Sequence, residues 1–261
     1  MQAWSSLVKK EFRVGVPVFL LAVILYIVAL LIVGITGYRF GYTMDAIGIM
    51  SLFWGAGHFF FIAVYMLYSL GVERKRLHLW LHNPMHAGGL LTAKLVTATA
   101  YLIISLLLVS ITAYIGGLNF IEMPEGTWFK LGMLAFIHIV LASIDFSVYI
   151  ILAYCIFLFL ERYMASFLSG TVVFIGSWLF IYLFFWLFGQ SEVYMAITEW
   201  GSIDLGYVAQ ALNFDINTRE FAASLQGTET QIYIGYYVTE LVTVSIIFFI
   251  ASWLLDKKVE V

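Results

Sequence analysis

Charge is scarce in this chain. Asp, Glu, Lys and Arg supply 11% of its 261 residues, where a soluble domain carries about 25%, and so little charge does not coat a water-soluble globule. Cysteine is scarcer still: the lone Cys155 excludes both a disulfide framework and a thiolate metal site. No G-x-x-x-x-G-K-[ST] occurs, so the chain has no phosphate loop of its own for ATP. Also missing are the H-E-x-x-H of a zinc protease, the arginine ladder of a voltage sensor and a selectivity-filter-like sequence. There is no internal repeat and no low-complexity linker.

What is present is apolar surface, arranged in blocks. The AVILMFWYC residues reach 63% against roughly 45–50% in soluble domains. Six blocks, at 16–36, 46–71, 90–116, 131–159, 166–189 and 232–255, each meet the ~20 residues that cross a ~30 Å hydrocarbon core. Runs such as Tyr101–Ile111 and Val172–Phe188 are continuous and lack the alternation of a membrane barrel. The predicted fold class is therefore all-α and integral to the membrane, with six transmembrane helices in one domain over 1–261. The longest stretch outside them, 190–231, is too short for a second domain. Residues 1–14 are charged and amphipathic, with no A-x-A-like site before the second block, so no cleaved signal is expected.

Ten of the 13 Lys and Arg residues fall on one side: Lys9, Lys10, Arg13, Arg74, Lys75, Arg76, Lys94, Arg162, Lys257 and Lys258. Arg39, Lys130 and Arg219 fall on the other. The positive-inside rule then predicts that both termini, the 72–89 connection and the 160–165 connection are cytoplasmic. Asp45, Glu122, Glu125, Glu192, Glu199, Asp204, Asp215, Glu220 and Glu229 lie on the opposite side and give it a negative potential.

At the N-terminus, Trp4, Leu7, Val8 and Phe12 form one helical stripe and Ser6, Lys9, Lys10 and Arg13 another, which predicts an in-plane interface helix over 1–14. Glu11 falls inside the apolar stripe. Such a carboxylate either snorkels to water or meets a basic group on a cytoplasmic partner. After the second block, Glu73-Arg74-Lys75-Arg76 leads into the apolar Leu77, Leu79, Trp80 and Leu81. The pattern predicts a short helix over 73–82 ended by Asn83-Pro84, because a residue before proline avoids the α region. Its length and amphipathic character mark a docking surface. In 190–231, Trp200, Tyr207, Leu212, Phe214 and Phe221 suit an interfacial aromatic belt, with one or two short helices expected and Val208–Leu212 the best placed.

His78, His82 and His86 have i, i+4 spacing, which on one helix face chelates a metal, but Pro84 interrupts the second pair. The alternative of a metal-dependent membrane enzyme rests on this cluster; the plainer reading is a polar face near headgroups. Within the spans lie His58, Asp145 and, seven residues before Asp145, His138. Ionisable groups at that depth mark function or a buried pair. For Asp145 two readings stand: a pathway or coupling-ion site, or a hydrogen bond through Ser143, Ser147 or His58. No second mid-membrane aspartate is present for an aspartyl protease. Small residues at Gly55, Gly57, Gly116, Gly117, Ser166, Ser169, Gly170 and Ser177 permit close helix approach, within the subunit or at a dimer seam.

The amphipathic start Leu7-Val-Lys-Lys-Glu-Phe-Arg13, the six spans, and the connection Glu73-Arg-Lys-Arg…Leu81-His-Asn-Pro84…Lys94 together resemble an ABC-2 type permease, the membrane subunit of a bacterial ATP-binding-cassette exporter. The layout covers the whole chain and the residue match covers those two segments. The resemblance implies that Glu73, Arg74, Arg76, Leu77, Trp80, Leu81 and Pro84 belong to a coupling helix seated on an ATPase. It likewise implies that Lys9, Lys10, Glu11 and Arg13 belong to an interface helix and that 190–231 carries short extracellular helices. Two separate ATPase subunits holding ATP and Mg, a second permease subunit, identical or homologous, and membrane lipid are the implied partners; nucleic acid is not. The implied work is export of an amphipathic or hydrophobic cargo (peptide, antimicrobial, lipid or drug) across the bacterial cell membrane by alternating access, with no catalytic or metal-binding residue in this chain and His58, His138 and Asp145 as pathway or buried-pair candidates. A non-transporting accessory or sensor protein is the remaining alternative.

Overall fold

A computed structural model describes residues 2–74, 85–117, 126–204 and 231–257. Its elements are α1 (Gln2–Phe40), α2 (Thr43–Gly57), a 3₁₀ turn (His58–Phe60), α3 (Phe61–Arg74), α4 (Ala87–Gly117), α5 (Thr127–Leu160), α6 (Ser166–Leu187), α7 (Glu192–Thr198), strands β1 (Ser202–Asp204) and β2 (Gln231–Tyr233), and α8 (Ile234–Lys257). Taking α2, the turn and α3 as one crossing, six helices are long and apolar enough to span a membrane. The chain is a multi-pass, all-α membrane protein, and the six crossings coincide with the six apolar blocks.

The expected interface helix has no boundary of its own. α1 runs unbroken for 39 residues with Pro17 inside it, about 58 Å at 1.5 Å per residue, well beyond the ~30 Å core. The reason lies in what its first turns touch. The Tyr65 hydroxyl donates to the Glu11 carbonyl at 3.2 Å, the Tyr101 hydroxyl donates to the Phe12 carbonyl at 2.6 Å, and Glu11 is fully buried. The stripe packs against α3 and α4, which holds this part of α1 in line with the bundle.

α1, α2 and α4 pack together, and the α2 to α4 contact is the tightest: a Cβ on Gly116 would overlap the backbone of Gly48. Gly55 lies opposite Val109 on the same seam. Between these helices the buried Tyr26 hydroxyl meets Ser51 Oγ at 2.8 Å and also bonds Thr112, a polar tie of the kind that joins helices in lipid. α3, α5 and the end of α8 complete the core, in which Ile62, Tyr65 and Met66 meet Leu91, Leu102, Ile151 and Leu255. α8 lies along α5, while α6 touches only α5 to any extent and exposes residues such as Phe174, Trp178 and Phe185, as a lipid-facing helix does.

Beyond α6, Ser191 caps α7 by accepting the Tyr194 N–H at 3.2 Å. β1 and β2 then pair antiparallel, Ser202 with Tyr233 and Asp204 with Gln231, a ladder too short to leave a periodic signal. Val208–Leu212 and the greater part of the 73–82 segment lie outside the described residues.

Candidate functional site

The end of the bundle that gathers the start of α1, the end of α3 and the start of α4 holds a four-charge cluster. Lys94 on α4 is 1% exposed. Its ammonium donates to Glu11 Oε2 at 2.9 Å and to Ser69 Oγ at 2.6 Å, and lies 2.9 Å from Glu73 Oε2. That last contact is an ion pair off the line of a hydrogen bond, since Glu73 Oε2 has no hydrogen-bond partner. Ser69 donates to Glu11 Oε2 at 3.2 Å. Lys10 donates to Glu73 Oε1 at 2.7 Å and sits 3.3 Å from Glu11 Oε1. Two carboxylates thus face two ammonium groups and the cluster is neutral. Desolvated charges persist only with such pairing, so α1, α3 and α4 are held at this end by a contact that none can leave alone.

Around the cluster, the other helix ends are tied to the end of α3 and the start of α4, the two roots of the 72–89 connection. Arg74, at the last turn of α3, pairs with Glu161 just past α5 and lies 5.3 Å over the Phe157 ring, within cation–π range. On the other side, Asp256 near the end of α8 accepts the Ala87 N–H at 2.9 Å, satisfying an otherwise unpaired donor at the α4 N-terminus. Trp4 Nε1 donates to the Gly89 carbonyl at 3.2 Å.

The expected site residues fall in different places. Lys10, Glu11, Glu73 and Arg74 come together here, and Lys94, anticipated only as the opening of the third span, is their centre. Lys9 and Arg13 make no contact in this cluster among the described residues. Arg76, Leu77, Trp80, Leu81, Pro84, His78 and His82 lie outside the described residues, while the exposed His86 stands 3.9 Å from Asp256. Glu11 neither snorkels nor waits for another protein: its basic partner, Lys94, is within the same chain.

His58 occupies the 3₁₀ turn that divides the second crossing. Its Nδ1 meets the Trp54 carbonyl at 2.8 Å and its Nε2 the Ser105 hydroxyl at 3.1 Å. A carbonyl only accepts, so Nδ1 carries the hydrogen, and the ring closes a tie between the second and third crossings. Asp145 does not form the expected bond to Ser143, Ser147 or His58. Ser143 instead receives the Ile62 N–H at 3.4 Å and Ser147 donates to the Ile144 carbonyl. Asp145 lies close enough to Glu240 of α8 for their charges to interact, the Tyr149 hydroxyl lies near the Glu240 carboxylate, and His138 bonds the Tyr237 hydroxyl at 3.0 Å. The depth rule that marks Asp145 applies equally to Glu240, a carboxylate inside the sixth block that is absent from the candidates above. Nearby on α7, burial raises the Tyr194 phenol above its ordinary value and the Glu240 carboxylate adds to the effect.

Comparison with protein-family models, curated proteins and solved structures finds no match to this chain.

Proposed function

We propose that the chain is the membrane subunit of an ATP-driven exporter of the ABC-2 type, moving an amphipathic or hydrophobic cargo out of a bacterial cell by alternating access. One observation carries this reading: both roots of the connection between α3 and α4 are clamped to the bundle, at one root by Glu73 to Lys10 and Lys94 and by Arg74 to Glu161, at the other by Ala87 to Asp256. A force that a cytoplasmic partner applies at these roots reaches α1, α3, α4, α5 and α8 together. With no phosphate loop in the chain, the energy source is a separate pair of ATPase subunits that hold ATP and Mg, acting on this subunit and a second permease subunit. The positive-inside rule supports a cytoplasmic position for that end and for both termini.

Purification of the tagged chain from native membranes, followed by identification of co-purified proteins, tests the reading. A Walker-motif ATPase is expected in the complex, and Glu73→Ala with Trp80→Ala is expected to abolish stimulation of its ATPase activity. A complex that lacks such a subunit, or ATPase stimulation untouched by the double substitution, overturns the coupling role.

A further inference from the structure

The opposite, acidic end of the bundle contains a cavity of about 310 Å³ between α5, α7, β2 and the start of α8, at the lower end of the ~300–1,000 Å³ that ligand sites occupy. His138, Tyr194, Glu199, Tyr233, Tyr236 and Tyr237 are among the residues that line it. One helical turn past Tyr236, and so on the same face of α8, Glu240 lies within Coulombic range of Tyr194 and Tyr236. Asp145 is within Coulombic range of Glu240. Among the described residues no Lys or Arg pairs with Glu199, Glu240 or Asp145. Among the described residues Glu199 therefore stands without a cationic partner in a wall that carries four phenol rings, one of which, Tyr237, is held by His138 at 3.0 Å.

We propose that this cavity is a binding cage for an alkylammonium group. The Glu199 carboxylate in its wall, with Glu240 one turn behind Tyr236, selects positive charge. Tyrosine faces select a cation that is weakly hydrated, because the ring quadrupole attracts a cation that has shed its water, as in the aromatic cages that take quaternary ammonium groups. A hard ion asks for something else, six or more oxygen ligands for calcium, and no group of three or more His, Cys, Asp and Glu side chains is placed to hold a metal among the described residues. The acidic excess on this side of the sequence, nine carboxylates against three basic residues, raises the local concentration of a cationic ligand. The volume accommodates a trimethylammonium head and part of the chain that carries it. That the cage receives cargo rests on the export reading above; the cage itself does not, and its binding is measured with no ATPase present.

The test is calorimetric titration of the full chain in dodecylmaltoside with choline and, separately, with its neutral isostere 3,3-dimethyl-1-butanol. Choline is expected to bind and the isostere is not. Glu199→Gln, Glu240→Gln and Tyr237→Leu are each expected to weaken choline binding about fivefold or more, with elution volume and melting temperature retained as the check on folding. Titration in phosphatidylglycerol and phosphatidylcholine discs then separates two sources of the same group. Choline binding lost only in phosphatidylcholine assigns the cage to lipid headgroups, and binding retained in both assigns it to a soluble cargo. Equal binding of choline and its isostere, or folded variants that bind choline as the parent does, overturns the proposal.

Discussion

Lys94 is the residue on which the basic end depends, and the reason is electrostatic. With Lys94 replaced by Met, Glu11 keeps its burial but retains only Lys10, whose side chain is 53% exposed and whose charge is largely screened. An orphaned buried charge costs about 3–5 kcal/mol, so Lys94→Met is expected to lower stability by that order, read as unfolding in detergent micelles followed by tryptophan fluorescence. Lys10→Ala is expected to cost less than about 1 kcal/mol. Adding Glu11→Gln to Lys94→Met restores neutrality and is expected to recover more than about 1 kcal/mol of the loss. If Lys94→Met costs no more than Lys10→Ala, the cluster is not a buried charge network. That Glu11 needs a partner was legible, since a carboxylate in an apolar stripe has to be satisfied. The partner's identity was not, because Lys94 lies 83 positions away and only the packing of α1 on α4 brings the two together. Glu240 was legible by the depth rule alone, whereas its proximity to Asp145 needed the α5 to α8 contact.

At the level of helices, periodicity reports which face is apolar and not what that face touches. Trp4, Leu7, Val8 and Phe12 do form a stripe, and the same pattern serves a helix lying on lipid or one packed on α3 and α4; here the hydrogen bonds from Tyr65 and Tyr101 decide for the second. The six crossings were legible because length and hydropathy are local properties. The 3₁₀ turn at His58 and the β1 to β2 ladder were not, as both arise from contacts with other elements. Glycines give the sharpest test of the helix seams. At Gly116 a methyl group meets the Gly48 backbone, which has no flexible end to move aside, so Gly116→Ala is expected to destabilise the chain by about 1–3 kcal/mol. Gly57 has helical backbone angles and open space at its Cβ position, so Gly57→Ala is expected to be neutral or to stabilise by up to about 1 kcal/mol. Melting of the two variants side by side checks both. Asp256→Ala, which removes the cap from the α4 N-terminus, is expected to cost about 1 kcal/mol by the same measurement.

For the molecule as a whole, the functional reading depends on which end faces the cytoplasm, and that is a question of charge placement. The six crossings are even in number, so the start of α1 and the end of α8 share a side, together with Arg74, Lys94 and the 160–165 connection. Lys and Arg close to the spans resist translocation, and the end with ten of them is expected to stay inside. Cys155 is 1% exposed and is expected not to react, yet Cys155→Ser gives a clean background for two reporters. Tyr163, 70% exposed in the turn after α5, and Val193, 69% exposed on α7, lie at opposite ends of the bundle. On intact cells a membrane-impermeant maleimide is expected to label Val193→Cys and not Tyr163→Cys, and on inside-out vesicles the reverse. The outcome bears on both sites at once. Labelling of Tyr163→Cys from outside puts the Glu73 to Lys94 cluster on the side away from the cytoplasm and overturns the proposed coupling role, whereas the expected pattern puts the tyrosine cage outside and the charge cluster inside, as the proposed export requires.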